Sequence, residues 1–286
     1  MPAAVLGLLS ALVYGSADFL GGVAARRIGP VRTTAIGAVS GLALLLLALP
    51  LVGGTWSAAA LGWGALSGLV GSAAIGLLYA CLAIGPMSIL SPLTAVVSAV
   101  VPMVWGLLGG DRFGVAGSIA LGLALVAVVL VGFVPEKGAV RPSLRALAMA
   151  VAAGAMIGVF LILLDQTPPD SGVVPLLANR TVNGAVMWTL AAVLVLRSRR
   201  RQDATPRFEP RGTGLAAAGG ALDASANLLI LIGLRVGDLT TMSVLVALYP
   251  AGTILLAAVV LRERVAPVQW VGLVLALVAA ALLAVD

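Results

Sequence analysis

The sequence predicts an all-α membrane protein with ten transmembrane helices, arranged as two inverted five-helix repeats. Of the 286 residues, 61% are hydrophobic and only 10% are charged, which is typical of chains that span a membrane and not of soluble domains. The apolar residues form ten runs of about 20 residues, the length that a helix needs to cross a bilayer. The second half of the chain also repeats the pattern of the first half.

Charged residues, prolines and clusters of glycine separate the ten predicted helices. The first run lacks a basic segment before it and continues into a second span, so we interpret it as a retained helix and not as a signal peptide. The longest connection, 197–212, leaves no room for a domain outside the membrane. The predicted limits are 3–24, 33–52, 58–82, 88–108, 115–134, 143–164, 172–196, 212–234, 239–260 and 267–285.

A shift of 152 residues aligns the third, fourth and fifth predicted helices with the eighth, ninth and tenth. Gly85 then aligns with Gly237, and the sequence Leu-Ala-Leu-Val-Ala occurs at both 123–127 and 275–279. Each half has an odd number of helices, so the second half enters the membrane in the opposite sense. Such repeats occur in secondary transporters, with the substrate site near the midplane. The predicted repeats are 1–136 and 137–286.

Basic residues predict the orientation of the chain. Of the 17 Lys and Arg residues, all but Arg112, Arg180 and Arg235 lie in the loops that follow odd-numbered helices. The positive-inside rule places these loops in the cytoplasm and both termini outside, in a bacterial-type inner membrane. The net charge of +6 therefore reflects topology, and no nucleic acid is expected as a partner because aromatic residues are not interleaved with the basic ones.

Three charged side chains lie well inside the predicted spans, namely Asp18, Arg180 and Asp223. Charges at this depth are costly and mark substrate or ion pathways. With a rise of about 1.5 Å per residue, all three lie near the middle of the membrane, as does Tyr249. Asn227 lies one turn after Asp223, and Tyr14 lies one turn before Asp18. The predicted substrate-binding residues are Arg180, Asp223, Asn227, Tyr249 and Tyr14, and the predicted proton or cation site is Asp18.

The role of each charge has an alternative. Arg180 can bind a substrate carboxylate with two hydrogen bonds, or it can form an internal ion pair with Asp223 that only neutralises both. Asp223 can bind an amine or a proton. Asp18 has no obvious cationic partner at its depth, which favours a proton or cation site. The alternative is a carboxylate close enough to the cytoplasmic surface to be hydrated, or paired with Arg26 or Arg27.

Other residue types limit the chemistry. The chain has no histidine and a single cysteine, Cys81, so neither a metal cluster nor a disulfide framework is predicted, and no cofactor is expected. No phosphate-binding loop of the Gly-x-x-x-x-Gly-Lys-Ser/Thr type is present, which argues against ATP-driven transport. Small residues at 64–68 predict close helix packing. Prolines within the predicted spans, which permit kinks, are Pro92, Pro102, Pro175 and Pro250.

The end of the chain contains a proline after an aromatic residue, then Glu-Arg, then Gln-x-x-Gly, as Tyr249-Pro250, Glu263-Arg264 and Gln269-Trp270-Val271-Gly272. This pattern resembles the EamA-like family of the drug/metabolite transporter superfamily. The first half departs from it, with Asp111-Arg112 for Glu-Arg and Ala120 for the glycine.

Further points of similarity lie in the first helix and in the seventh. The segment 14–19, Tyr-Gly-Ser-Ala-Asp-Phe, is similar to the aromatic-Gly start of the first family helix. Arg180 lies where many members carry an arginine. The resemblance covers the whole chain as two five-helix units and implies transport of a small molecule, since relatives move amino acids, metabolites, sugars or drugs. Many relatives are described with cytoplasmic termini, opposite to the charge count here.

These observations predict a secondary transporter that works by alternating access and exports a small polar metabolite such as an amino acid. One alternative is an organic-cation or drug efflux carrier, and another is a non-transporting membrane receptor or scaffold. An intramembrane enzyme is disfavoured by the lack of histidine and of paired carboxylates. The expected partners are a small-molecule substrate, membrane lipids and protons, and the expected state is a monomer or homodimer. Glu263 is interpreted as a solvated loop charge.

Overall fold

The computed structural model describes residues 2–84, 87–132, 142–200, 209–260 and 266–285. These residues form helices joined by short connections and contain no strand. The α-helices are α1 (Pro2–Ile28), α2 (Pro30–Val52), α3 (Ala58–Ile84), α4 (Met87–Gly109), α5 (Val115–Gly132), α6 (Leu144–Asp165), α7 (Val174–Arg200), α8 (Pro210–Val236), α9 (Leu239–Val246), α10 (Tyr249–Val260) and α11 (Pro267–Val285).

Length and composition support the prediction of membrane-spanning helices. Among the described residues, α1, α2, α6, α8 and the 58–78 part of α3 are each long and apolar enough to cross a membrane. Shorter apolar stretches lie in α4, α5, the α9–α10 region and α11. The predicted all-α membrane fold is therefore confirmed.

The ninth predicted span, 239–260, is not one helix. It is divided into α9 and α10 by a turn at Ala247 and Leu248. The physical reason is Pro250, which has no N–H to donate and whose ring interferes with the carbonyl of Val246, one turn earlier. The proline permits a kink, and the structure interrupts the helix there for two residues, 247 and 248.

A second difference concerns Pro175, which was predicted to lie inside a span. It is the second residue of α7, where the absence of an N–H removes no helical bond. Pro102, in contrast, lies inside α4 as predicted, and Pro50 lies inside α2.

The packing of the helices follows the predicted repeat. α1 packs on α8, and the equivalent helices α6 and α3 pack on each other. In the same way, the contact of α2 with α8 is matched by the contact of α7 with α3. The contact of α4 with α6 is matched by the contacts of α9 and α10 with α1. The contacts of α5 with α11, α2 with α7 and α4 with α9 each join equivalent helices of the two halves. This is the pattern of a two-fold pseudo-symmetric pair. The predicted boundary at 136 and 137 lies outside the described residues.

Glycines allow the closest helix crossings. At the crossing of α2 and α8, a methyl group on Gly220 would meet the backbone of Gly37. At the crossing of α3 and α7, side chains on Gly64 or Gly68 would meet the backbone of α7. The small residues at 64–68 therefore pack a neighbouring helix, as predicted.

We call the membrane face at which α1 begins and α11 ends the terminal face, and the opposite one the basic face. At the terminal face, two loops from different halves form a clasp between 53–55 and 170–173. The amide of Thr55 donates to the Asp170 carbonyl at 3.0 Å, and the amide of Val173 donates to the Gly53 carbonyl at 3.1 Å. The Thr55 hydroxyl also donates to the Asp170 carboxylate at 2.6 Å. Gly54 and Gly172 have φ values of 143° and 47°, which favour glycine.

We predict that the terminal face is extracellular, because the basic loops lie at the other face. In a variant lacking Cys81, a cysteine at Trp56, which is 62% exposed at the terminal face, is expected to react with an impermeant maleimide in intact cells. A cysteine at the exposed Arg26, at the basic face, is expected to be protected until the cells are opened. The reverse labelling pattern would place the termini in the cytoplasm.

Candidate functional site

A cavity of about 190 Å³ lies near the middle of the bundle. Its walls come from helices α1 to α4 and α6 to α10. The membrane depths estimated from the sequence do not show whether the predicted residues face each other. All six line this one cavity, namely Tyr14, Asp18, Arg180, Asp223, Asn227 and Tyr249.

Arg180 and Asp223 form an ion pair between α7 and α8, with Nη2 of the guanidinium donating to Oδ2 of the carboxylate. The Arg180 side chain is 11% exposed and that of Asp223 is 25% exposed. The guanidinium lies beside Gly41, where a methyl group would be 3.5 Å from Nε. Arg180 Nε itself is buried and has no hydrogen-bond partner among the described residues. The pair is therefore made, while part of the bonding capacity of Arg180 is unused.

Asn227 lies one turn after Asp223 on α8 and is 2% exposed. Its Nδ2 donates to the Asp223 carbonyl at 2.8 Å, which confirms that the two residues share a face. Its Oδ1 is buried, and no donor reaches it within the part of the chain that the structure describes. An unpaired buried acceptor lowers the stability of a fold by about 1–3 kcal/mol, so a ligand that donates a hydrogen bond to this oxygen would gain binding energy.

Asp18 differs from the ion pair because its side chain is exposed to the cavity. In the described residues it takes part in no salt bridge. Arg27, one of its two possible partners, instead lies 3.3 Å from Glu209 at the basic face. The alternative of a carboxylate neutralised by a loop arginine is therefore not observed.

Tyr14 and Tyr249 form an edge-to-face pair, with ring centroids 5.7 Å apart and an interplanar angle of 61°. The pair lies where α1 meets the start of α10. The backbones come close there because Gly15 and Gly252 have no side chains, and the Thr253 hydroxyl donates to the Gly15 carbonyl at 3.0 Å. The two aromatic rings therefore form a fixed part of the cavity wall.

Comparisons with known proteins agree with this architecture. The model of the EamA-like transporter family, part of the drug/metabolite transporter superfamily, matches residues 144–285. Over residues 144–285, the chain belongs to this family. A solved crystal structure of a protein aligns with a TM-score of 0.72 and 17% identity, covering 98% of this chain and 95% of that one. This likeness shows the fold alone. No curated protein matches the sequence significantly.

Membership of the EamA-like family makes the protein a multi-pass membrane transporter of the drug/metabolite superfamily. The lining of its cavity extends unequally toward the two membrane faces. Toward the basic face, the wall continues to the last turns of α1 and the first turns of α2 and α8, with Gly21, Thr33, Thr34 and Ala216. Exposure also rises in this direction, from Arg180 to Asp223 to Asp18.

Toward the terminal face, buried apolar side chains at the ends of α6, α7, α8 and α9 close the cavity, and we call them the terminal seal. Arg235, beside this seal, donates a hydrogen bond to the Thr167 hydroxyl. Between the α4–α5 connection and α9, the Asp111 carboxylate accepts a bond of 2.6 Å from the Thr240 hydroxyl. The seal includes Leu164, Leu176, Leu234, Leu239 and Met242, each at most 6% exposed. The structure is thus closed at the terminal face.

Among the cavity residues that the sequence analysis did not select are Asn179 and Asn183. Their Nδ2 atoms donate to Ser67 at 2.8 Å and to Ser72 at 3.0 Å, so both amides join α7 to α3. Their spacing of four residues around Arg180 places all three on one face of α7, a signal that the sequence does contain. These bonds hold the helix that carries the arginine.

Proposed function

We propose that the protein is a secondary transporter that exports a small polar metabolite, an amino acid being the best match, across a bacterial-type inner membrane. The observation that carries this proposal is the mid-membrane cavity that brings Arg180, Asp223 and Asp18 together. Charged side chains inside a membrane are retained where they face a substrate or ion pathway. An EamA-like transporter therefore has a natural binding site here.

The charges suit a zwitterion. Arg180 keeps unused donor capacity beside its bond to Asp223, and a guanidinium binds a carboxylate with matching geometry. Asp223 and Asp18 give the cavity two carboxylates against one arginine, which favours a positive group on the same ligand. Asp18, unpaired and open to the cavity, is the group that we assign to proton or cation coupling.

Alternating access accounts for the unequal ends of the cavity. The structure has the form expected of a state that loads or releases substrate at the basic face. Because equivalent helices pack in equivalent ways, exchanging the arrangements of the two halves would close the basic face and open the terminal one. The terminal seal and the clasp would separate in that exchange.

A second candidate function is efflux of organic cations. It is supported by the two carboxylates and by the Tyr14–Tyr249 pair, since aromatic rings attract cations. A receptor that binds without transporting would use the same cavity. Flux of labelled amino acids and of tetraphenylphosphonium into proteoliposomes separates the three, because a receptor gives binding without flux.

For the coupling role, we predict that Asp18→Asn abolishes gradient-driven uptake in proteoliposomes while the protein stays folded, because the amide cannot exchange a proton. Asp18→Glu is expected to restore part of it. The control is Asp170→Asn, which changes a carboxylate outside the cavity and keeps an acceptor for Thr55. Gradient-driven uptake by Asp18→Asn at the wild-type rate would remove Asp18 from the coupling mechanism.

A further inference from the structure

The break in the ninth span leaves two backbone carbonyls without their helical donors. In a continuous helix, the Val246 carbonyl would accept from residue 250, but Pro250 has no N–H. The Ala247 carbonyl would accept from Ala251, whose amide instead donates to the Leu248 carbonyl at 2.9 Å. Among the described residues, the Ala247 carbonyl receives no other hydrogen bond, and no side chain donates to the Val246 carbonyl.

Val246 and Ala247, the residues that carry these carbonyls, both line the cavity. An unpaired backbone group at membrane depth costs several kcal/mol and is tolerated where it lines a cavity or a ligand site. The end of α9 also carries the partial negative charge of a helix C-terminus. The end of α9 therefore presents backbone acceptors to this part of the wall, directly before the first turn of α10.

Two side chains add acceptors to the same cavity. Asn227 contributes Oδ1, which is buried and has no donor among the described residues. Asp18 contributes a carboxylate that is exposed to the cavity. The cation of the cavity, Arg180, comes from a different helix, α7, and is paired with Asp223. Donors and acceptors are thus supplied by different parts of the wall.

We propose that the carbonyls of Val246 and Ala247, with Asn227 Oδ1 and Asp18, form a subsite for a small monovalent cation. The cation is either the ammonium group of the substrate or a free sodium ion, since both are bound by carbonyl and carboxylate oxygens. The first source rests on the proposed function, and the second does not. Broken helices in transporters supply carbonyls to cations in this way.

The donor set disfavours a divalent ion. Calcium and magnesium sites use several carboxylates or retained waters, whereas the proposed subsite has a single carboxylate, that of Asp18, and neutral oxygens. No group of three acidic, histidine or cysteine side chains that could hold a metal is found in the residues that the structure describes. A single positive charge matches the single negative charge of Asp18.

The test uses the full-length protein in detergent. Binding of methylammonium chloride and of sodium chloride is measured by thermal shift, with N-methyl-D-glucamine chloride at equal ionic strength as reference. Pro250→Ala supplies the missing N–H to the Val246 carbonyl and is expected to weaken cation binding about tenfold, the value of one hydrogen bond. Pro50→Ala is the matched control, since Pro50 lies inside α2 and outside the cavity wall.

Asn227 gives a second readout that does not depend on the folding of the proline variant. Asn227→Leu is expected to weaken binding by a similar factor, and Asn227→Asp, which keeps an acceptor, is expected to retain it. Stabilisation by methylammonium alone identifies the ammonium source, and stabilisation by sodium identifies the ion.

Failure of this subsite and failure of the proposed substrate can be told apart. Cation binding that is lost in Pro250→Ala and Asn227→Leu supports the subsite even where amino acids give no flux. Wild-type protein that is stabilised by neither cation overturns the subsite, even where amino-acid flux is measured. Unchanged cation binding in both variants overturns it as well.

Discussion

Replacing Arg180 with leucine is expected to destabilise the protein by about 3–5 kcal/mol and to abolish transport, because Asp223 would be left as an unpaired charge in the membrane. Asp223→Leu is expected to act similarly through the unpaired arginine. The double variant should recover much of the stability, since it removes both charges together. Unfolding in detergent and flux in proteoliposomes measure the two effects separately.

The double variant also separates a binding role of this ion pair from a purely structural one. We expect it to fold but not to transport, because the carboxylate-binding group is gone. Arg145→Leu, at an exposed position at the basic face, is the control for loss of an arginine as such. A stable double variant with wild-type flux would show that the pair only neutralises two charges.

Gly220→Ala is expected to cost about 1–3 kcal/mol or more, because a methyl group there would meet the backbone of Gly37 and force α2 and α8 apart. The same movement would disturb Asp223, one turn later on α8, so transport should fall as well. Backbone atoms cannot move aside as a flexible side chain can, which favours the upper end of this range.

Gly214→Ala, on the same helix, is the matched control. A methyl group at Gly214 meets nothing within 4 Å, so stability should be unchanged or higher by up to about 1 kcal/mol. Thermal unfolding of the two variants in one detergent makes the comparison. Equal stability of both would show that the α2–α8 crossing adapts to a side chain.

The sequence predicted those parts of the protein that depend on local composition. Apolar runs of membrane length located the helices within a few residues, as for α8, predicted at 212–234 and observed at Pro210–Val236. Intramembrane charges are rare enough that Asp18, Arg180 and Asp223 could be selected by type and depth alone. That they share one cavity depends on the rotation of α1, α7 and α8, which spacing within one helix does not define.

The division of the ninth span shows a limit of sequence reasoning. Pro50, Pro102 and Pro250 all lie in helical runs, yet α2 and α4 remain continuous and only the run around Pro250 is divided. Proline removes one bond wherever it occurs, so the difference arises from the surroundings. At Pro250 these include the crossing with α1, where Thr253 bonds to the Gly15 carbonyl. The clasp at the terminal face is equally non-local, because it joins loops that are more than 100 residues apart.

The pseudo-symmetry of the bundle has a consequence for protein engineering. The 152-residue shift relates Asp223 to Gly71, and the matching crossings of α3 with α7 and α8 with α2 relate Arg180 to Ala38. Gly71 and Ala38 both line the cavity without carrying a charge. The bundle thus contains a second, uncharged position equivalent to that of its ion pair, related to the first by the pseudo-two-fold axis. Ala38→Arg and Gly71→Asp, combined with removal of Arg180 and Asp223, would place an equivalent ion pair in the first half of the chain.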